Sequence, residues 1–405
     1  MENFNKITVS LELEGKHHEL GEMAHERNRV YFRYLPDFLK TGLNISPIKL
    51  PFNAQINACE REPFEGLYGV FSDSLPDGWG RLLLDRALTS KGIDALQLNP
   101  LHRLGYVGSN GMGALSYRPK MEDDDRAGSI ELDLIAHEMT QILKGSESDL
   151  IEELFELGGS SGGARPKIFV KYNPTSGEII HGTQQHTEDF EDWIIKFPSS
   201  SDHREIAKIE YAYYLMARKA GLEMSDCKLF TGKSGQVYFG TKRFDRKLGQ
   251  KIHMHTASGL MHDNFRMSNM DYGHLMDCAF RLEKNIAAYA KVLRMAAFNV
   301  FARNRDDHSK NFSFLMNAQG EWRLAPAYDL TYSNSAYGFH STMVAGESKN
   351  PERKHLMSLA KHFGIIDASA ILDEVKDAVA QWSSFAKDSD LSAASIKSIA
   401  NVIIC

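Results

Sequence analysis

Cysteine is scarce in this chain: Cys59, Cys227, Cys278 and Cys405 are the four in 405 residues, and no two form a CxxC pair. That speaks against a disulfide framework or a sulfur-ligated zinc site and fits a reducing compartment. Long apolar runs are missing too. No stretch of about 18 such residues occurs, so no membrane partner or span is expected. The start, Met1-Glu2-Asn3-Phe4-Asn5-Lys6, lacks the apolar core of a signal peptide, and a cytoplasmic protein is expected. There is no basic excess: 47 Lys and Arg stand against 53 Asp and Glu, a formal net charge of −6. A direct nucleic-acid face is therefore not indicated. Internal repeats and long low-complexity segments are also absent. What remains is an ordinary globular composition, 42% hydrophobic and 25% charged. At about 150 residues per domain the length allows two or three packed units.

The first 120 residues mix short strand patterns with turns. Ile7-Thr8-Val9-Ser10-Leu11-Glu12-Leu13 alternates as a half-buried strand does. Leu75-Pro76-Asp77-Gly78-Trp79-Gly80 is a turn leading to a helix through Leu82, Leu83 and Leu84. Gly111-Met112-Gly113-Ala114-Leu115 bends into another strand, and the acidic stretch 121–128 is a candidate boundary. Beyond it lie a glycine-rich loop at 158–163, strands at 168–172 and 193–197, and a helix over 205–220 stopped by Gly221. A further strand begins at Val237, and the rest reads as helical except for 312–331. The expected fold class is α+β, with a β-containing half followed by a helical half.

The chemistry centres on Asn304-Arg305-Asp306 and Asn311. Protein kinases carry a catalytic loop H-R-D-x-x-x-x-N, in which the Asp takes or orients the substrate hydroxyl proton and the Asn binds Mg²⁺. Asp306 and Asn311 have that spacing, and Asn304 stands in the His position. The alternative is a charged helix end capped by Asp306 and Asp307. A metal site of Asp306, Asp307 and His308 is weaker, because adjacent side chains diverge. A hairpin is expected next, from Asn311-Phe312-Ser313-Phe314-Leu315 to Trp322-Arg323-Leu324-Ala325. It leads to Asp329, in the place of a metal-binding kinase Asp; the plain alternative is a turn residue.

Upstream, the loop ending Gly162-Gly163-Ala164-Arg165-Pro166-Lys167 is rich in residues that let backbone N–H groups approach phosphate, although linkers look similar. Lys196 lies in an apolar strand, where ATP phosphates or a helix carboxylate, Glu205 or Glu210, would offset its charge; a snorkelling strand-edge lysine is the alternative. Lys242, Arg243 and Phe244 take the hinge position, where backbone groups could bind adenine.

In this order the chain resembles the HipA-type serine/threonine kinase toxins of bacterial type II toxin–antitoxin systems. The resemblance rests on Leu75-Pro76-Asp77-Gly78-Trp79-Gly80, Gly111-Met112-Gly113-Ala114-Leu115, Gly162-Gly163-Ala164-Arg165-Pro166-Lys167, Ile194-Ile195-Lys196-Phe197-Pro198, Arg243-Phe244-Asp245-Arg246, Asp306-Asp307-His308-Ser309-Lys310-Asn311 and Pro326-Ala327-Tyr328-Asp329. It implies a two-lobed protein-kinase-like fold with an extra N-terminal subdomain at 1–125, a kinase N-lobe at 126–245 and a helical C-lobe at 246–405. It implies Asp306 as the catalytic residue, and Asn311 and Asp329 as Mg²⁺ ligands. ATP would be held by Gly162, Gly163, Ala164, Arg165, Pro166, Lys167, Lys196, His308 and Lys310, with Lys242, Arg243 and Phe244 at the hinge. Autophosphorylation of Ser160, or its neighbour Ser161, would switch the kinase off. The implied substrate is an aminoacyl-tRNA synthetase, notably the glutamyl enzyme. The implied partner is a small helix-turn-helix antitoxin of the HipB type, through which alone DNA would be reached. A same-fold kinase with another substrate, and a non-catalytic pseudokinase that binds antitoxin or nucleotide, are the competing readings.

Overall fold

The computed structural model describes residues 5–120, 128–146, 148, 150–159, 162–181, 189–335 and 338–403. The chain falls into two compact units. The first comprises Met1–Arg204, Phe230–His255 and Leu315–Gly320; the second comprises Glu205–Leu229, Thr256–Phe314 and Glu321–Cys405.

The first unit is built on two antiparallel sheets. In one, Asn57–Ala58, Arg29–Tyr34, Lys16–Glu26, Lys6–Leu13 and Leu115–Arg118 are neighbours in that order. The alternation read at Ile7, Val9, Leu11 and Leu13 puts all four side chains in the core, across a register shift between Val9 and Ser10. In the other sheet Val237–Lys242, Glu191–Lys196, Lys167–Tyr172, Ile179–His181 and Gly128–Ser129 follow one another. Its core joins Ile168, Val170, Trp193 and Ile195 to Trp79 and Leu83 of the helix Gly78–Ser90, and to Leu154 and Leu157 of Ile151–Gly158. The helices Leu132–Leu143 and Ile151–Gly158 precede the glycine-rich segment. Both are amphipathic, with Ile135, Met139 and Ile142 packed in the same core.

A buried ion cluster ties two distant segments of this unit. Asp245, fully buried, accepts from Arg243 Nε at 2.9 Å, from Arg246 Nη1 at 2.8 Å and from the Gly113 backbone N–H at 2.8 Å. Burial pushes the Asp245 carboxyl up, but the two guanidinium groups outweigh it and hold it well below the usual carboxylate range. Past this point short strands continue where helix is expected from the sequence. Arg246–Lys247 and Gln250–Lys251 pair around Leu248 and Gly249, whose φ values are +50° and +73°. That two-residue turn matches the right-handed twist of paired strands, and no Asn-Gly or Asp-Gly announces it.

The second unit is mainly helical. The helix Ile206–Lys219 lies in this unit, and Tyr213 ties it there. Its ring meets Phe298 and Trp382 edge-on, and its hydroxyl donates to the Ala302 carbonyl at 2.6 Å. The helix Ala287–Phe301 is buried along most of its length and delivers the loop that follows it. The expected hairpin of Ser313–Met316 and Trp322–Leu324 begins and ends in this unit, while Leu315–Gly320, with its turn at Gly320 (φ +78°), is counted with the first.

Candidate active site

The loop after Phe301 is held from below by a chain of buried side chains. Asn304 donates its side-chain amide to Asn299 Oδ1 at 2.9 Å, and Asn299 Nδ2 donates to the Tyr272 hydroxyl at 2.8 Å. Tyr272 in turn donates to Asp307 Oδ2 at 2.8 Å. Burial, together with the Asp307 charge, pushes the Tyr272 phenol well above its ordinary value, so it remains a donor. The same carboxylate faces His340 Nδ1 at 3.0 Å and accepts the backbone N–H groups of Ser341 at 2.8 Å and Thr342 at 3.3 Å. Asn304 therefore anchors the loop from the position where protein kinases carry His. Asp307 is a support of the loop, buried where its neighbour Asp306 is exposed.

That alternation separates the two carboxylates. The Asp306 side chain is 63% exposed, whereas that of Asp307 is fully buried. Asn311 closes the loop by donating its side-chain amide to the Asp306 carbonyl at 2.7 Å. The amide oxygen of Asn311 is the atom of this side chain that could ligate a metal ion. His308 Nε2 lies 3.9 Å from Asp306 Oδ1. His308 and Lys310 share the ring of Phe265, at 5.4 Å and 4.7 Å. Tyr328 donates to the Lys310 carbonyl at 2.6 Å, which pins the residue before Asp329 to the same loop. Asp329 adopts φ +57°, a left-handed conformation uncommon for a residue with a Cβ and concentrated at functional sites. Asp306, His308, Lys310 and Asn311 are thus brought together, with Asp329 tied in through its neighbour. The oxygen donors of Asn311 and Asp329 suit a hard cation such as Mg²⁺. Among the described residues no cluster of three or more His, Cys, Asp or Glu forms a further metal site.

In the first unit Lys167 and Lys196 are direct partners across paired strands. Like charges so placed on neighbouring strands repel. Lys167 is buried and donates to the Gly162 carbonyl at 2.6 Å; Lys196 lies 5.5 Å from the Phe239 ring centroid. Gly163 has φ +91°, a backbone conformation that disfavours any side chain; a Cβ there would also press on the flexible end of Lys167, 2.5 Å from Nζ. Arg165 pairs with Asp202 at 3.1 Å. At the hinge the side chains are engaged elsewhere: Lys242 with Glu191 at 2.6 Å, and Arg243 with Asp245. The Arg243 backbone N–H at this position donates to Asp192 O at 2.8 Å. Of the two glutamates considered for Lys196, Glu205 accepts from the Ser392 N–H at 2.9 Å and from the Ser392 and Ser395 hydroxyls; Glu210 is buried. Ser160 and Ser161 lie outside the described residues.

Sequence reading also missed a hydrogen-bonded Ser–His–Asp chain. Ser46 Oγ is 3.0 Å from His255 Nε2, and His255 Nδ1 is 2.6 Å from Asp73 Oδ2. Ser46 is 1% and His255 0% exposed, so the chain joins three segments and offers no nucleophile to solvent.

The fold is of the protein-kinase-like α+β class. The chain belongs to the HipA family: the HipA-like C-terminal domain matches residues 159–382, more than half of the chain, and the HipA N-terminal domain matches 12–118. It is similar to the serine/threonine-protein kinase toxin HipA of Shewanella oneidensis, 22% identical over 359 residues, covering 80% of this chain and 75% of that protein. In structure it is similar to a chain of the Shewanella oneidensis MR-1 HipA, HipB and operator DNA complex, with a TM-score of 0.71, 15% identity, and 97% and 94% of the two chains covered. A Helicobacter pylori proinflammatory kinase, CtkA, reaches a TM-score of 0.33 at 12% identity, over 49% of this chain and 91% of that one, too low to carry an argument.

Proposed function

We propose that the chain transfers the γ-phosphate of ATP to a serine or threonine of a protein, with Asp306 as the residue that takes or orients the hydroxyl proton. The observation that carries this is the Asp306 loop, exposed at its carboxylate and fixed beneath by Asn304, Asp307 and Asn311. A general base needs that combination of access and rigid support. Asn311 and Asp329 would hold Mg²⁺, which when bound neutralises charge on the phosphates. The segment 162–167 with Lys196, and His308 with Lys310, would contact those phosphates, and the backbone at 242–244 would meet adenine. Incubation with Mg²⁺ and labelled ATP, alone and with cell lysate, tests this against Asp306→Ala.

The finer reading follows the family. The substrate is an aminoacyl-tRNA synthetase, first of all the glutamyl enzyme, and its phosphorylation stops translation. The relative found with HipB and operator DNA supports a helix-turn-helix antitoxin as partner, with DNA reached through it. The net charge of −6 is compatible with a basic intermediary. A phosphate on Ser160 or Ser161 would add about −2 charge beside the phosphate loop and expel it, switching the kinase off. Intact mass after ATP treatment tests that switch, and phosphate found only outside 158–167 would refute it. No helix among the described residues is long and apolar enough to cross a membrane; a cytoplasmic site of action follows the family reading.

A further inference from the structure

The N-terminal motif Leu75-Pro76-Asp77-Gly78-Trp79-Gly80 has no role in the chemistry above, yet it meets the glycine-rich segment directly. The Gly163 backbone N–H donates to Asp77 Oδ1. The Trp79 N–H donates to the Gly163 carbonyl at 3.1 Å. Between these two bonds Gly78 lies flush against the loop: a Cβ on it would come within 2.7 Å of both Ala164 Cα and Gly163 O. Its φ of +40° disfavours a side chain as well. The fixed end of the contact is firm, since Trp79 is buried in the core that also holds Ile168 and Ile195 of the phosphate-side strands.

We propose that Asp77 is a positioning residue of the nucleotide site: its carboxylate holds the Gly163 amide, so that the N-terminal domain sets the glycine-rich segment in the shape that receives ATP. This rests on the kinase reading above. Both polar groups of Gly163 are taken up by the motif, so Gly163 shapes the segment while its neighbours face the nucleotide. A glycine pair with one φ at +91° has much conformational freedom to lose. Losing it before ATP arrives, at the expense of folding, leaves more of the binding energy for ATP. Lys167 Nζ bonded to the Gly162 carbonyl fixes the segment from its other side.

The test uses the full chain. Adenylyl imidodiphosphate with Mg²⁺ is titrated calorimetrically into wild type, Asp77→Ala, Asp77→Asn and Gly78→Ala, and phosphotransfer is measured at rising ATP. Asp77→Ala should bind the analogue about tenfold more weakly and raise KM for ATP to match, because a hydrogen bond to a charged acceptor is lost. Its rate at saturating ATP should stay within about threefold of wild type, since pre-organisation chiefly sets affinity. Asp77→Asn keeps an acceptor oxygen and should restore most of the affinity. Equal affinity for Asp77→Ala and wild type overturns the proposal, as does Asp77→Asn failing as badly as Asp77→Ala. Should Asp77→Ala not fold, Gly78→Ala decides: it removes no polar group and wedges the motif from the loop, so weakened binding supports the proposal and unchanged binding overturns it. A wild type that binds no analogue refutes the kinase reading itself, a result distinct from any of these.

Discussion

The side-chain amide of Asn311 donates to the backbone carbonyl of Asp306 at 2.7 Å, so the residue expected to ligand Mg²⁺ also fixes the residue expected to act on the hydroxyl. One side chain serves both ends of the x₄ spacing. Asn311→Ala should therefore lower phosphotransfer by about 10- to 100-fold, the usual effect of losing a group that orients a metal site. Asn311→Asp keeps an oxygen ligand but cannot donate to the carbonyl, and should fall between the two with a shifted Mg²⁺ dependence. Initial rates over a Mg²⁺ series measure both.

Asp307 carries a different load. Its buried carboxylate collects Tyr272, His340 and two backbone N–H groups. Asp307→Ala leaves those donors unsatisfied and should cost about 3–5 kcal/mol of stability, as for a broken buried polar network. Denaturant unfolding reads the loss as a lower midpoint. Asp306→Ala, one residue away and exposed, should leave the unfolding free energy within about 0.5 kcal/mol of wild type.

The D-x₄-N spacing and the later Asp marked the candidate loop in the sequence, because kinase chemistry favours those separations along the chain. The strands around Lys167 and Lys196 and the helix after Gly78 were legible from their apolar residues and the turn signals that bound them. What lay hidden depends on tertiary pairing. Asp307 looked like a second cap beside Asp306, and nothing local marks it as the buried member of the pair. Asn304 looked like a missing His, although it anchors the loop through Asn299. The contact of Asp77 with Gly163 spans 86 positions, and the Ser46–His255 contact spans 209. Such separations leave no trace in periodicity. The strands at Arg246–Lys247 and Gln250–Lys251 were missed because each is only two residues long.

His253 gives a pH dependence. It is fully buried with Nε2 2.9 Å from the Ile45 carbonyl, and burial lowers its pKa from 6.5 to about 4. Below pH 6.5 the unfolded chain takes up a proton that the folded chain refuses until about pH 4. Its contribution to stability is thus fully present above pH 6.5 and declines as pH falls through that window, by about 3 kcal/mol in total. His253→Gln should lack this part of the slope, so that its stability deficit relative to wild type shrinks from pH 7 to pH 4. A deficit constant with pH would contradict the assignment.

The most direct test is phosphotransfer from labelled ATP by purified wild type and Asp306→Ala, each with Mg²⁺ and cell lysate. Wild type should label itself or a lysate protein on serine or threonine. Asp306→Ala should be slower by roughly 100-fold or more, the contribution of a positioned general base, while unfolding at the same denaturant concentration. Equal labelling by the two proteins would contradict the catalytic assignment of Asp306.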